Sequence, residues 1–301
     1  MRRDRSSPRE NSSVKMKTKN MFILLALLVV FMSGCIDQKR EITLEEPGNI
    51  SSYEYEVFLN DSNNETLANT TTYYILEDKV DVQAVHLVIN SSELEIFPPE
   101  SLGGGSDEEP IKNFVHLVEP ANETVADPDT FMRLSNSTNV SEMNYTLTQD
   151  VVQGMRVVTL EFEEPVTGFI AYTLETPGTQ TFTFMRPDSE FIRVVLPEGY
   201  VTGNRVFGIA RPSPSNTTID EEGRQTLLWI SSEMREREEA IQVKYYTESA
   251  PMYFFAAIIA LLAGVVIVLT RYSRSKKELE SVREIFELEK EYDEKKKRKN
   301  K

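Results

Sequence analysis

Residues 157–185 read VVTLEFEEPVTGFIAYTLETPGTQTFTFM. Within this stretch Val157–Phe162, Phe169–Leu174 and Thr179–Met185 are short runs of β-branched, aliphatic and aromatic residues with period-two alternation, the pattern of strands that bury one face. Pro177-Gly178 marks a turn between the last two. Working outward toward the C-terminus, Phe191–Leu196 (FIRVVL), Arg205–Ile209, Thr226–Ile230 and Ile241–Tyr246 (IQVKYY) continue the pattern. Turn signals at Pro187-Asp188, Pro197-Glu198-Gly199, Gly203-Asn204 and Glu222-Gly223 separate them. Seven short strands at such spacing predict a β-sandwich-like domain over 151–249. Trp229, the only tryptophan, falls in one of these strands and reads as a core residue.

Working outward toward the N-terminus, Tyr53–Leu59, Thr71–Leu76 and Val80–Ile89 (VDVQAVHLVI) predict further strands in a β-rich region over 53–150. Pro98-Pro99 and Gly103-Gly104-Gly105 mark a long loop there, extended by Asp107-Glu108-Glu109. No Lys-Ser/Thr pair follows that glycine run, so it does not read as a phosphate cradle. Residues 35–52 are polar, contain Pro47-Gly48, and read as a stalk.

Two apolar runs bound these regions. Met252–Leu269 reads MYFFAAIIALLAGVVIVL without a charge, and 250–270 matches the roughly 20 residues needed to cross a bilayer core. Tyr253 and Tyr272 lie where amphipathic rings prefer the interface, and Arg271, Arg274, Lys276 and Lys277 form the positive flank that stays cytoplasmic. The expectation is a single span with 36–249 outside and 271–301 inside. The first run, Met21–Gly34, is shorter and suits a signal-peptide core, with Lys15, Lys17 and Lys19 before it and Ser33-Gly34 before a cut. Read from Met16 it is a compact signal peptide within 1–34, which makes residues 1–15 an extension from an upstream start. Ser-Gly-Cys resembles a lipobox, although Met32 stands where leucine is usual. Cys35, the only cysteine, is therefore the candidate lipidation site, against plain cleavage or an uncleaved anchor. One cysteine also excludes an intramolecular disulfide.

The net charge of −15 is unevenly spread. Residues 35–250 hold 38 Asp+Glu against 14 Lys+Arg, a net of −24, while both flanks are basic. An acidic exterior repels phosphate, so nucleic acid is not the expected external partner. Ten Asn-X-Ser/Thr sites begin at Asn49, Asn60, Asn64, Asn69, Asn90, Asn122, Asn136, Asn139, Asn144 and Asn216, and they read as glycosylation candidates. In the tail, 275–297 has helical character: Ile285, Leu288 and Tyr292 share one face, and Leu279, Val282 and Phe286 share a neighbouring one. The terminal KKKRKNK (295–301) reads as a solvated or lipid-facing end.

No catalytic motif stands out. His86 and His116 are the only histidines. Each alternates with apolar neighbours and reads as a strand-face residue. No H-x-x-x-H or C-x-x-C spacing supports a metal, no G-x-S-x-G elbow supports a hydrolase, and no cofactor is expected. The fold class is therefore mainly β: a sandwich-like extracytoplasmic region, one C-terminal transmembrane helix and a short cytoplasmic helix. The expected role is a non-enzymatic structural or interaction module held at the cell membrane. Its expected partners are the membrane, surface proteins or envelope glycans, and a cytoplasmic partner for the tail. A receptor or accessory subunit coupling exterior to tail is the first alternative, and an exterior hydrolase the second.

The lipobox-like start, the acidic β-rich exterior, the segments RVVLPEGY (193–200), LLWI (227–230) and IQVKYY (241–246), the single span and the charged tail together resemble an uncharacterised archaeal family of membrane-anchored, lipoprotein-like surface proteins. The resemblance implies architecture and location. It implies no activity.

Overall fold

The computed structural model describes residues 40–42, 48–59, 67–99, 110–152, 155–235 and 238–299, with side chains as far as 290. Cys35 and the whole expected signal peptide, Asn60, Asn64 and Gly103–Gly105 lie outside the described residues. Four elements come first: β1 (Arg40–Glu41), β2 (Thr70–Ile75), β3 (Asp81–Ile96) and β4 (Lys112–Pro120). Helix α1 (Pro128–Ser135) follows, then β5 (Tyr145–Val152), β6 (Met155–Glu175), β7 (Thr181–Met185) and β8 (Phe191–Val195). The short strands β9 (Tyr200–Val201) and β10 (Ala210–Arg211) precede β11 (Asn216–Ile219), β12 (Gln225–Ile230), β13 (Ala240–Lys244) and β14 (Tyr246–Thr247). Helix α2 (Ala250–Lys299) closes the chain.

Among the described residues a nine-stranded sheet runs β1-β5-β6-β3-β2-β8-β12-β11, with β4 also paired to β6. Its pairs are antiparallel except β2 with β8. The protein is thus mainly β. Strands from 53–150 and from 151–249 alternate in this one sheet, so residue 150 does not separate two sheets. Strands β10-β13-β7 form a second, three-stranded sheet. Its Phe182, Phe184, Ile241 and Val243 share a buried cluster with Tyr73, Ile170, Ile192, Val194 and Trp229 of the large sheet. The opposite face buries Tyr74, Val85, Leu87, Val115, Leu117 and Phe169 under Phe131 and Leu134 of α1.

Helix α1 forms where the chain supplies a cap. Asp127 accepts the Thr130 N–H at 2.7 Å, and Pro128 follows at the first helical position, where its missing N–H costs nothing. Phe131 and Leu134, three apart, then fall on one face, and the Phe131 ring sits 5.5 Å from Phe169.

Five expected strands take other forms. Val157–Phe162 and Phe169–Leu174 belong to one 21-residue strand, β6. Glu163-Glu164-Pro165 does not break it, because the register against β3 shifts between Val88 and Glu93 and Asn90 there takes φ 51°. The larger offset is in β6 itself, where Val166 to Glu161 advances five positions against two from Ser91 to Glu93, so Glu163–Pro165 bulge out of the ladder and Pro165 has no ladder bond to donate. Tyr53–Leu59 is extended but joins no ladder among the described strands. It lies over the second face as a strap: the partly exposed Tyr55 and Val57 pack there, Glu56 pairs with Arg193 at 2.5 Å and Glu54 with Arg224 at 2.8 Å. Residues 48–52, within the expected stalk, are bonded to β4 as well. The Gly48 N–H donates to the Phe114 carbonyl at 3.1 Å, and the Asn49 N–H to Asn113 Oδ1 at 2.6 Å. Finally, Arg205–Ile209 is a closed loop with an Asn204–Gly208 bridge, and Ile241–Tyr246 is divided between β13 and β14 by the buried Tyr245, whose N–H donates to the Gln180 carbonyl.

Candidate functional site

The chemistry-bearing residues of the interior collect around one row of the large sheet. His86 on β3 and His116 on β4 both lie directly opposite Ile170 of β6, one on each side. Facing residues in a ladder point to the same side, so both rings enter the face that the three-stranded sheet covers. Two strand spacings, roughly 10 Å, separate their backbones.

Their surroundings differ. His86 is 1% exposed. Its Nδ1 is 2.9 Å from Thr71 Oγ1, the residue opposite it on β2, and its Nε2 is 2.8 Å from Tyr172 Oη on β6. Thr71 Oγ1 in turn lies 2.5 Å from Ser189 Oγ. Burial pushes the imidazole down to about 3 and raises the Tyr172 hydroxyl well above its usual value. The ring is therefore neutral at ordinary pH, with one donor and one acceptor nitrogen that the two hydroxyls turn to match. The chain Ser189–Thr71–His86–Tyr172 pins β2, β3 and β6 together. It also reaches a cleft of about 420 Å³ beside Asn69, Ser91, Glu93, Glu95, Arg186 and Ser189.

Nucleophilic catalysis asks for something else. It needs a base touching the serine and a carboxylate orienting the base. Here Thr71 stands between Ser189 and His86, Tyr172 occupies the orienting position, and an imidazole that titrates near 3 is a poor proton acceptor at neutral pH.

His116 is 6% exposed, yet among the described residues neither ring nitrogen has a hydrogen-bond partner. It is boxed by Tyr145 at 4.9 Å, Phe114 at 5.7 Å and Phe162 at 6.4 Å between ring centres. Burial lowers its pKa. The backbone of Ser141 and Met143 offsets part of that shift without closing a bond of good geometry. The two histidines do not meet: Ile170 lies between them and both nitrogens of His86 are taken. Among the described residues no three His, Cys, Asp or Glu side chains are placed to hold a metal ion.

The outer surface carries the acceptor asparagines. Asn49, Asn90, Asn122, Asn136, Asn139, Asn144 and Asn216 are exposed. Asn69 is half-buried, and its Oδ1 accepts the Ile89 N–H at 2.7 Å. The Asn136 Nδ2, the atom a glycan would take, donates to the Met132 carbonyl at 2.7 Å at the end of α1. These two are the most committed to the fold.

The remaining feature is the junction with α2. Strand β14 pairs with β9, Tyr246 opposite Val201 and Thr247 opposite Tyr200. The Glu248 N–H then donates to the Gly199 carbonyl at 2.9 Å, and the helix begins at Ala250. The Phe207 ring lies 5.4 Å from Tyr246 and 5.5 Å from Phe254 in the first turns of the helix. The Gly203–Gly208 loop was missed because its ring contact joins residues far apart in the chain, although Val206-Phe207 between two glycines was a visible signal. Helix α2 is 50 residues long, and its most apolar stretch, long enough to cross a membrane, is not buried in the protein.

A mainly β protein carrying one membrane-length C-terminal helix is thus the class that the fold defines. The chain belongs to DUF5803, a family of unknown function, which matches residues 49–291. No curated protein and no solved structure matches it.

Proposed function

We propose that this protein is a single-pass, non-enzymatic interaction module of the cell surface, with the β unit outside, α2 crossing the membrane and the basic end of the helix in the cytoplasm. The observation that carries this reading is the junction: a sheet hydrogen-bonded up to Thr247 enters, at Ala250, a helix that carries no charge before Arg271. A signal sequence or a buried core helix is also apolar, but neither follows a folded unit at its C-terminal side with none of its apolar window buried. Arg271, Arg274, Lys276 and Lys277 set the orientation. Cys35 is the proposed lipid-bearing N-terminus, and the exposed asparagines are the proposed glycan sites, so the β unit is held to the membrane from both ends of the mature chain. The state of the two histidines, one neutral and fully engaged, the other boxed by rings, supports a module that binds rather than one that reacts. Surface proteins or envelope glycans are the proposed external partners.

A second reading has its own observation. The helix is unbroken from the junction into the tail, which favours an accessory or receptor subunit whose exterior and tail move together. Topology is tested with Cys35→Ser protein carrying Ser232→Cys or Ser281→Cys, labelled in intact cells by a membrane-impermeant maleimide. Ser232→Cys should label directly and Ser281→Cys only after permeabilisation; the reverse pattern sinks the orientation. In-cell crosslinking then separates the two roles, since a partner lost on deleting 271–301 supports coupling and one retained supports the surface module.

A further inference from the structure

We propose that the loop Gly203–Gly208 is a second membrane contact: a rigid foot whose tip, Val206 and Phe207, sits in the outer interface of the bilayer beside α2. This rests on the reading of α2 as a span.

The loop is built to hold a shape. The Gly203 N–H donates to the Gly208 carbonyl at 2.9 Å and the Gly208 N–H to the Asn204 carbonyl at 2.8 Å. Asn204 Oδ1 accepts the Val206 N–H at 2.9 Å, and Thr202 Oγ1 donates to the Lys244 carbonyl at 2.7 Å. Gly203 takes φ 112°, and a Cβ on Gly208 would collide with the Lys244 carbonyl, so glycine is required at both ends. A loop this constrained nevertheless presents Val206 at 73% exposure with Arg205 exposed beside it.

Position identifies what covers it. Phe207 touches Phe254, which lies roughly 6 Å along the axis from Ala250, already inside the uncharged run. If that run occupies the hydrocarbon, the tip of the loop is level with its outer edge. Valine and phenylalanine there are removed from water, and Arg205 can run its stem along the apolar surface with its charge among headgroups. The pairing of β9 with β14 fixes the loop against the helix, so the foot and the span enter together. A bilayer fits this continuity better than a protein partner, which would have to share the site with lipid packed round Phe254.

The test uses full-length protein with Cys35→Ser in phosphatidylcholine–phosphatidylglycerol nanodiscs. An environment-sensitive fluorophore is placed at Val206→Cys, at Val266→Cys within the span, or at Ser232→Cys. Ser232 lies beyond the end of β12, on the side away from Gln225, whose Oε1 accepts the Thr202 N–H; five residues of strand cover roughly 17 Å. Val206 makes its fixed bond through its backbone, so labelling its side chain leaves the loop intact. Lipids carrying a quencher near the headgroup should remove most of the emission at Val206→Cys and little at Ser232→Cys. Quenching at 206 no greater than at 232, with 266 strongly quenched by mid-chain quenchers, overturns the foot and leaves the span. An unquenched label at 266 overturns both. Energy transfer between 206 labels in discs holding two copies, without lipid quenching, gives the surface to a second copy and also overturns the proposal.

Discussion

The strand environments on the two sides of Ile170 make an informative pair. Both place a histidine opposite the same residue and both bury it. On the β3 side every polar atom of the ring is answered by a hydroxyl from a neighbouring strand. On the β4 side three aromatic rings surround an imidazole whose nitrogens are unanswered. Burial alone therefore does not give a histidine a role. The β3 side gains a cross-strand pin from its polar residue, and the β4 side carries one at a cost.

That contrast can be broken or sharpened by substitution, with Trp229 fluorescence of the full chain in detergent following unfolding in urea. The largest effect is expected for His86→Ala. It opens a cavity between Thr71 and Tyr172 and leaves both hydroxyls unpaired, for a loss of about 3–5 kcal/mol; a loss under about 1 kcal/mol would remove the pin. Acid comes next. Both histidines have lowered folded pKa values, so the unfolded chain takes up their protons first as pH falls below the usual 6.5. Stability contributed by the neutral rings is full above that pH. It drains at roughly 1.4 kcal/mol per unit for each such group, for His86 down to about 3. A flat stability profile between pH 6 and 4 would contradict this, and His116→Phe should make the slope shallower. Tyr172→Phe removes one partner and should cost about 1–2 kcal/mol. His116→Phe at neutral pH should have the smallest effect, within about 1 kcal/mol and in the stabilising direction, because it removes unanswered polar atoms from an aromatic box. A large loss there would mean that His116 has a partner of its own.

What could be read in the sequence was local. The uncharged run at 252–269 and the alternation of VDVQAVHLVI, FIRVVL and LLWI depend on near neighbours, and each became the expected helix or strand. Both histidines were placed on strands for the same reason. Their shared partner Ile170 could not be read, because register is set by residues some 54 to 84 positions away. Val157–Phe162 and Phe169–Leu174 read as two strands and form one, because β6 bulges at Glu163–Pro165 and resumes its pairing with β3 on either side. Glu54 and Glu56 are held by Arg224 and Arg193, which lie 170 and 137 positions on. The Thr71–His86–Tyr172 chain belongs to the same class of long-range facts.

The unbroken helix has a mechanical consequence. Fifty residues make a rod of roughly 75 Å. With its fulcrum in the first third, a tilt of about 5° would swing the far end by roughly 4 Å. Crowding or pulling on the β unit would thus be felt as displacement at the tail, with no change in the shape of either part.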